Sequence, residues 1–250
     1  WLQRLREAVE EERFVLHAQP IVPVCGKGVP MFELLLRLPD GHGDLIPPGA
    51  FLYNAERFGL IQSIDHWVMG QAVRMINEYQ AQGCDLALSI NVSAKTLNDG
   101  AIADHLRGLL ERWPIPEGRL IVELTETAAI ANIERAQKLA GDLRNLGCRL
   151  ALDDFGAGFA TFYYLKHLDF DYVKVDGEFI KQLPTNLTDQ LVVRALIGIA
   201  NGLDTVTIAE FVQDDETLAL LEDFGVGYAQ GYHTGRPGPL DSVLPQLPTA

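Results

Sequence analysis

Basic residues are scarce in this chain, 20 against 34 acidic ones, for a formal charge of −14. That balance argues against a broad electrostatic surface for a nucleic acid polymer or an anionic membrane. Cysteine is scarcer still. Cys25, Cys84 and Cys148 are odd in number, widely separated and form no CxxC pair, so neither a disulfide framework nor a zinc ribbon is supported. A reducing compartment fits, either the cytoplasm or the cytoplasmic portion of a membrane-attached protein. No apolar run reaches the ~18 residues of a membrane span, and Trp1-Leu2-Gln3-Arg4 is not a secretory signal. A Gly-x-Ser-x-Gly elbow, a P-loop and a His-Asp dipeptide are all missing, which removes several hydrolase chemistries. Asp65-His66 and Asp104-His105 have the reverse order and fall in helical stretches, so their histidines read as surface or helix-packing residues. Because the chain opens on Trp1 rather than methionine, it is expected to be part of a longer protein.

What is present is a regular alternation of elements. Leu2, Leu5 and Val9 at helical spacing predict a leading or linker helix over residues 1–13. Two β-like runs follow, Phe14 to Val24 and Val29 to Leu38, and Gly26-Lys27-Gly28 between them suggests an antiparallel hairpin. Helices and short aliphatic runs then alternate to the end, with further strands at Leu86–Val92, Leu120–Leu124, Arg149–Asp153, Tyr172–Val175, Thr205–Ala209 and Val226–Ala229. Eight strands in 250 residues, with no linker-like division, favour a single closed (β/α)8 barrel over an open doubly wound sheet. The proline-rich ending from Pro237 reads as a closing loop with a short tail.

Barrel enzymes assemble their sites at the C-terminal ends of the strands, and here those ends are polar. Glu33, Asn91, Glu123, Asp153 and Asp154, Lys174 and Asp176, Glu210 and Gln230 fall at seven successive strands. In Tyr172-Val173-Lys174-Val175-Asp176 the period of two separates the valines from Lys174, which would point into the barrel mouth. Taken singly, each polar residue is better explained as a helix cap or a solvated ion pair. Together, carboxylates converging on one mouth repel one another and protonate unless a cation compensates them. Only oxygen donors are offered, so Mg²⁺ or Mn²⁺ is favoured over zinc. Adjacent Asp153 and Asp154 can serve two ions at once, an arrangement suited to in-line displacement at phosphorus.

At these residues the sequence resembles the EAL-domain family of bacterial cyclic di-GMP phosphodiesterases. The resemblance runs from about Phe14 to Pro237 through short motifs in family order. Gln19-Pro20-Ile21 and Glu33-Leu34-Leu35-Leu36-Arg37 open the series. Pro47-Pro48 through Phe51, Ala55-Glu56, Gly59-Leu60-Ile61, Asp65, Asn91-Val92-Ser93 and Glu123-Leu124-Thr125-Glu126 follow. Asp153-Asp154-Phe155-Gly156, Val173-Lys174-Val175-Asp176, Ala209-Glu210, Gln230-Gly231-Tyr232 and Gly235-Arg236-Pro237 complete it. The resemblance implies a barrel with an antiparallel first strand that hydrolyses cyclic di-GMP to linear pGpG. It implies Glu33, Asn91, Glu123, Asp153 and Asp154 as ligands of two Mg²⁺ or Mn²⁺ ions, with Lys174, Glu210 and Glu33 in catalysis. Lys174 would orient or deprotonate the attacking water; a buried salt bridge to Asp153 or Glu210 is its structural alternative. Gln19, Leu36, Arg37, Asp176 and Gln230 would contact substrate, and Glu126 would hold the neighbouring loop. A homodimer, with apolar contacts from Phe159, Phe162, Tyr163 and Tyr164, and an attached sensor or diguanylate cyclase domain are also implied.

Two segments depart from the family pattern. The loop after the paired aspartates, usually closer to DDFGTGYSSL, carries Ala157, Phe159 and Ala160, and the usual AEGVE is Ala209-Glu210-Phe211-Val212-Gln213. They motivate a rival reading in which the domain is a receptor that binds cyclic di-GMP without cutting it. A barrel enzyme acting on an enolising acid is a more distant rival, resting on fold analogy alone.

Overall fold

Eight largely apolar runs pair edge to edge until the last meets the first. The computed structural model describes residues 1–25, 28–156 and 168–244. Strands β1 (Val15–Pro23), β2 (Met31–Pro39), β4 (Ala87–Asn91), β5 (Leu120–Thr125), β6 (Arg149–Phe155), β7 (Tyr172–Val175), β8 (Val206–Ala209) and β9 (Tyr228–Gln230) are the staves, and β3 (Leu45–Ile46) is a short flap on β2. The order is β1-β9-β8-β7-β6-β5-β4-β2, and β1 closes the ring on β2. β1 runs antiparallel to both of its neighbours, with Gln19 opposite Glu33 and Ile21 opposite Gln230, while the other barrel pairings are parallel. The expected (β/α)8 barrel with its reversed first strand is therefore the fold.

Alternation along each strand divides the interior. Outward residues such as Leu88, Ile90, Val122, Leu150, Leu152, Val173 and Val175 join the helices in one core. The lower half of the barrel is plugged by Ile21, Met31, Ala87, Ile121, Ala151 and Ile208, with Tyr172 and Tyr228 packed beside them. Above that plug the lumen turns polar. The helix Ile61–Ala81 buries Ile61, Ile64, Val68, Ala72 and Ile76, a stripe at three- to four-residue spacing, against this outer core. It meets the helix Ile102–Arg112 through stacked His66 and His105 rings, 4.3 Å between centroids. These two histidines do pack between helices.

Several elements were not legible in the pattern. Single-turn or two-turn helices at Leu52–Arg57, Ala94–Asp99, Glu126–Ala131 and Gly177–Ile180 sit directly in the strand-to-helix connections. Too short to show a periodicity, three of them are set by caps: Ser93, Thr125 and Asp176 accept from the backbone N–H of Thr96, Ala128 and Glu178. The ending read as a loop contains one helical turn, Leu240–Val243, tied to the barrel by a Tyr79–Asp241 hydrogen bond and an Ala18–Gly238 bridge. The leading helix, Leu2–Glu10, buries Leu5 and Ala8 in the main core. Most of the altered loop after β6 and the aromatic run Phe159–Tyr164 expected at a dimer contact lie outside the described residues.

Candidate functional site

Lys174 stands at the centre of the polar lumen. β7 alternates Tyr172 and Lys174 inward, and the ammonium is buried to 1% exposure. Its Nζ lies 2.7 Å from Glu123 Oε2, 2.9 Å from Glu210 Oε1, 3.2 Å from Glu33 Oε2 and 3.3 Å from Asp153 Oδ1. Four strands or strand ends thus deliver a carboxylate to one cation. The buried salt bridge weighed for this lysine is present, to Asp153 and Glu210 alike.

Neighbouring groups fix the carboxylates. Asn91 Nδ2 donates to Glu33 Oε1 at 2.7 Å, and Gln230 Nε2 donates to Glu33 Oε2 at 2.6 Å. Gln230 also reaches Gln19 Oε1 at 3.2 Å, so the first, second and last staves are tied across the seam of the barrel. β6 has an irregularity between Leu152 and Phe155: three residues advance there against two on β7. This bulge takes in Asp153 and Asp154, and Asp154 has φ +58. A bulge breaks the alternation that would send adjacent side chains to opposite faces, so one oxygen from each of Asp153, Asp154 and Glu210 falls within 4.8 Å of the others. Glu126 Oε2 accepts from the Gly156 N–H at 3.2 Å, holding the chain just beyond the bulge.

Electrostatics show a shortage of positive charge. Burial pushes Glu123 up to about 8 and Glu210 up to about 7, outweighing the Lys174 ammonium. Burial, then Asp153 and Asp176, also raise Asp154. Burial acts on Glu33 as well, but Lys174 and the amides of Gln230 and Asn91 win and hold it below the usual carboxylate range. For Lys174, burial favours the neutral amine, yet the surrounding carboxylates prevail and keep it charged, well above an ordinary lysine. One ammonium faces four carboxylates, with Asp154 beside them. In addition Glu123 Oε1 and Asp153 Oδ1 are buried with no hydrogen-bond partner, the latter within ion-pair range of Lys174 but not hydrogen-bonded to it. Orphaned carboxyl oxygens in an acidic cluster short of positive charge fit hard divalent cations.

The substrate-binding residues expected from the sequence are only partly brought together. Gln19, Arg37 and Gln230 line a cavity of about 340 Å³ at the mouth, along with Glu33 and Glu210. Leu36 does not line it. By the period of two it faces away from Glu33 and Arg37, and it borders a second cavity of about 350 Å³ with Asn91, Asp65 and Ser93. Asp176 is occupied as a helix cap, accepting from Glu178 N–H at 2.7 Å, and does not line the mouth cavity. Sequence reasoning gave no role to Leu35, Phe211 and Tyr232, which do line it, and noted Gln213 only as a departure. The alternation Glu33, Leu35, Arg37 was the available signal for the first. Tyr232, exposed and stacked under Arg236 at 4.2 Å, had none beyond its adjacency to Gln230-Gly231. Buried Asp65 accepts from Ser93 N–H at 3.0 Å and Thr96 Oγ1 at 2.5 Å, bracing the turn that follows Asn91.

The sequence profile described as EAL domain matches residues 2–237. Over its full length the chain is 37% identical to the cyclic di-GMP phosphodiesterase PdeB of Shewanella oneidensis, covering 29% of that protein. It is 34% identical to the cyclic di-GMP phosphodiesterase PdeF of Escherichia coli, with 98% of this chain and 33% of that one covered. The chain therefore spans about a third of the length of these curated relatives. Among solved structures, the EAL domain of FimX from Pseudomonas aeruginosa bound to c-di-GMP superposes with a TM-score of 0.89 at 30% identity, covering 95% of this chain and 96% of that one.

Proposed function

The chain belongs to the EAL domain family, and from that premise we propose that it is a metal-dependent phosphodiesterase hydrolysing cyclic di-GMP to linear pGpG. The observation that carries the proposal is the ring of carboxylates around Lys174, with the Asp153–Asp154 bulge on its edge. Glu33, Asn91, Glu123, Asp153 and Asp154 would hold the cations. Bound Mg²⁺ or Mn²⁺ supplies Lewis acidity and a water that ionises near neutral pH. Lys174, kept as an ammonium by its neighbours, orients that water and steadies charge developing on the phosphoryl oxygens. Arg37 offers a planar fork to the phosphate. Water oxygen would bond to phosphorus as the bond to the 3′ oxygen breaks, and a proton from that water would end on the 3′ oxygen as the free hydroxyl of a 5′-phosphorylated linear dinucleotide.

The two cavities support a two-base substrate. They lie on either side of the Glu33 strand, share Leu35 and are of nearly equal size. Gln19, Gln213 and Gln230 bring amides to the first, and Tyr232 gives it an aromatic wall.

Incubation with cyclic di-GMP and either metal, followed by chromatography, tests the reading. The expected product is pGpG, with none from Glu33→Ala. Nucleotide retained without product would instead favour the receptor reading.

A further inference from the structure

Among the described residues only four other than glycine have positive φ, and two of them are at this site: Asp154 in the bulge and Phe211, at φ +56, directly after Glu210. A half-exposed phenylalanine has no intrinsic reason to sit in the left-handed region, which glycine enters freely. Its surroundings must hold it there. The ring lies against Gly177, where an added Cβ would fall 2.1 Å from Cδ2 and 2.6 Å from Cγ of Phe211. Lys181 Nζ lies over the same ring, 4.5 Å from its centroid. Both contacts come from the short helix Gly177–Ile180 and its C-cap, which begins three residues after Lys174. On the other side, the backbone of Val212 presses on Gly231, where a Cβ would meet Val212 O at 2.1 Å, and Val212 N–H donates to Gln230 O at 3.0 Å. The segment carrying Glu210 is thus gripped between the two neighbouring staves, at glycines on both sides.

We propose that Phe211 is a positioning residue: its ring, seated on Gly177 and Lys181, fixes the backbone that presents Glu210 to Lys174 and to the Asp153–Asp154 pair. It deepens the reading above and rests on Glu210 lying beside the Asp153–Asp154 pair, close enough to act on the cations they would hold. Position 177 must stay bare because the ring fills the space that a side chain would take.

The test uses Gly177→Ala, Phe211→Gly and the double variant of the same chain. Mn²⁺ affinity is measured by calorimetry without nucleotide, together with melting temperature and, where turnover is seen, kcat and KM. Each single variant is expected to bind Mn²⁺ about tenfold more weakly, the loss typical when a ligand's support is removed. The double variant shares that deficit rather than multiplying it, since the three atoms the added methyl would meet first all belong to the ring. Phe211→Gly should melt within a few degrees of the parent, because glycine adopts this φ at no steric cost, and the loss should fall on kcat more than on KM. Wild-type affinity in Gly177→Ala, or multiplied deficits in the double variant, overturns the proposal. If circular dichroism shows that Gly177→Ala does not fold, Phe211→Gly decides alone, and unchanged affinity there overturns it. A parent chain that binds Mn²⁺ but yields no pGpG removes the phosphodiesterase reading and leaves this one standing on the affinities; a parent that takes up no Mn²⁺ overturns both.

Discussion

A buried lysine encircled by acids is stable only as a set. Removing the cation leaves four carboxylates facing one another in the lumen, and breaking a buried ion pair from one side costs ~3–5 kcal/mol. Lys174→Met is therefore expected to lose about that much stability in urea titrations with a chelator present, and to recover part of it in Mn²⁺, which compensates the same oxygens. Protonation is the other way to relieve the repulsion. In the metal-free chain Glu123 and Glu210 keep their protons to about 8 and about 7, whereas in the unfolded chain a glutamate releases its proton near ~4.3. Between those values the native state binds more protons than the unfolded state, so these two residues make stability fall as pH rises. Glu33, shifted the other way, contributes stability above the unfolded value that is lost on acidification. Unfolding free energy in EDTA should decline from about pH 5 to about pH 8; a rise across that window would mean the two glutamates are not buried as charged-form penalties. At this scale the sequence was informative where polar residues interrupted apolar strands, as at Glu33, Glu123 and Lys174. It was uninformative for Asp176, because an aspartate at a strand end is equally a cap.

Short connections decide how those residues are aimed. β6 read as ending at Asp153, yet it continues to Phe155 through a bulge, and no periodicity announces one extra residue in a ladder. Glu126 steadies the exit from that bulge through the Gly156 N–H. Glu126→Ala should destabilise by about 1.5–3 kcal/mol, the range for a hydrogen bond to a charged group, and should weaken Mn²⁺ binding as Asp153 and Asp154 lose their fixed spacing. Wild-type Mn²⁺ affinity in a destabilised Glu126→Ala would confine this glutamate to a purely structural role. The one- and two-turn helices beside the mouth were missed for a related reason: they are too short for a hydrophobic stripe and depend on capping side chains that also suit turns.

The whole barrel was more legible than its parts, since eight strands of the right spacing have few ways to bury both faces. What the pattern could not give was the standing of residues 1–13, because an amphipathic helix reads alike as linker or as part of a core. The structure buries Leu5 completely in the main cluster. Leu5→Ala should then cost about 3 kcal/mol in equilibrium unfolding, whereas a detached linker helix would leave the transition unmoved.

The order of the staves along the polypeptide has one more outcome. Glu33, Glu123 and Asp153 all precede Lys174, and Gln230, which grips Glu33 across the seam, comes almost last. A chain emerging N-terminus first therefore presents Glu33, Glu123 and Asp153 before Lys174, and cannot lock the ring until Gln230 has emerged.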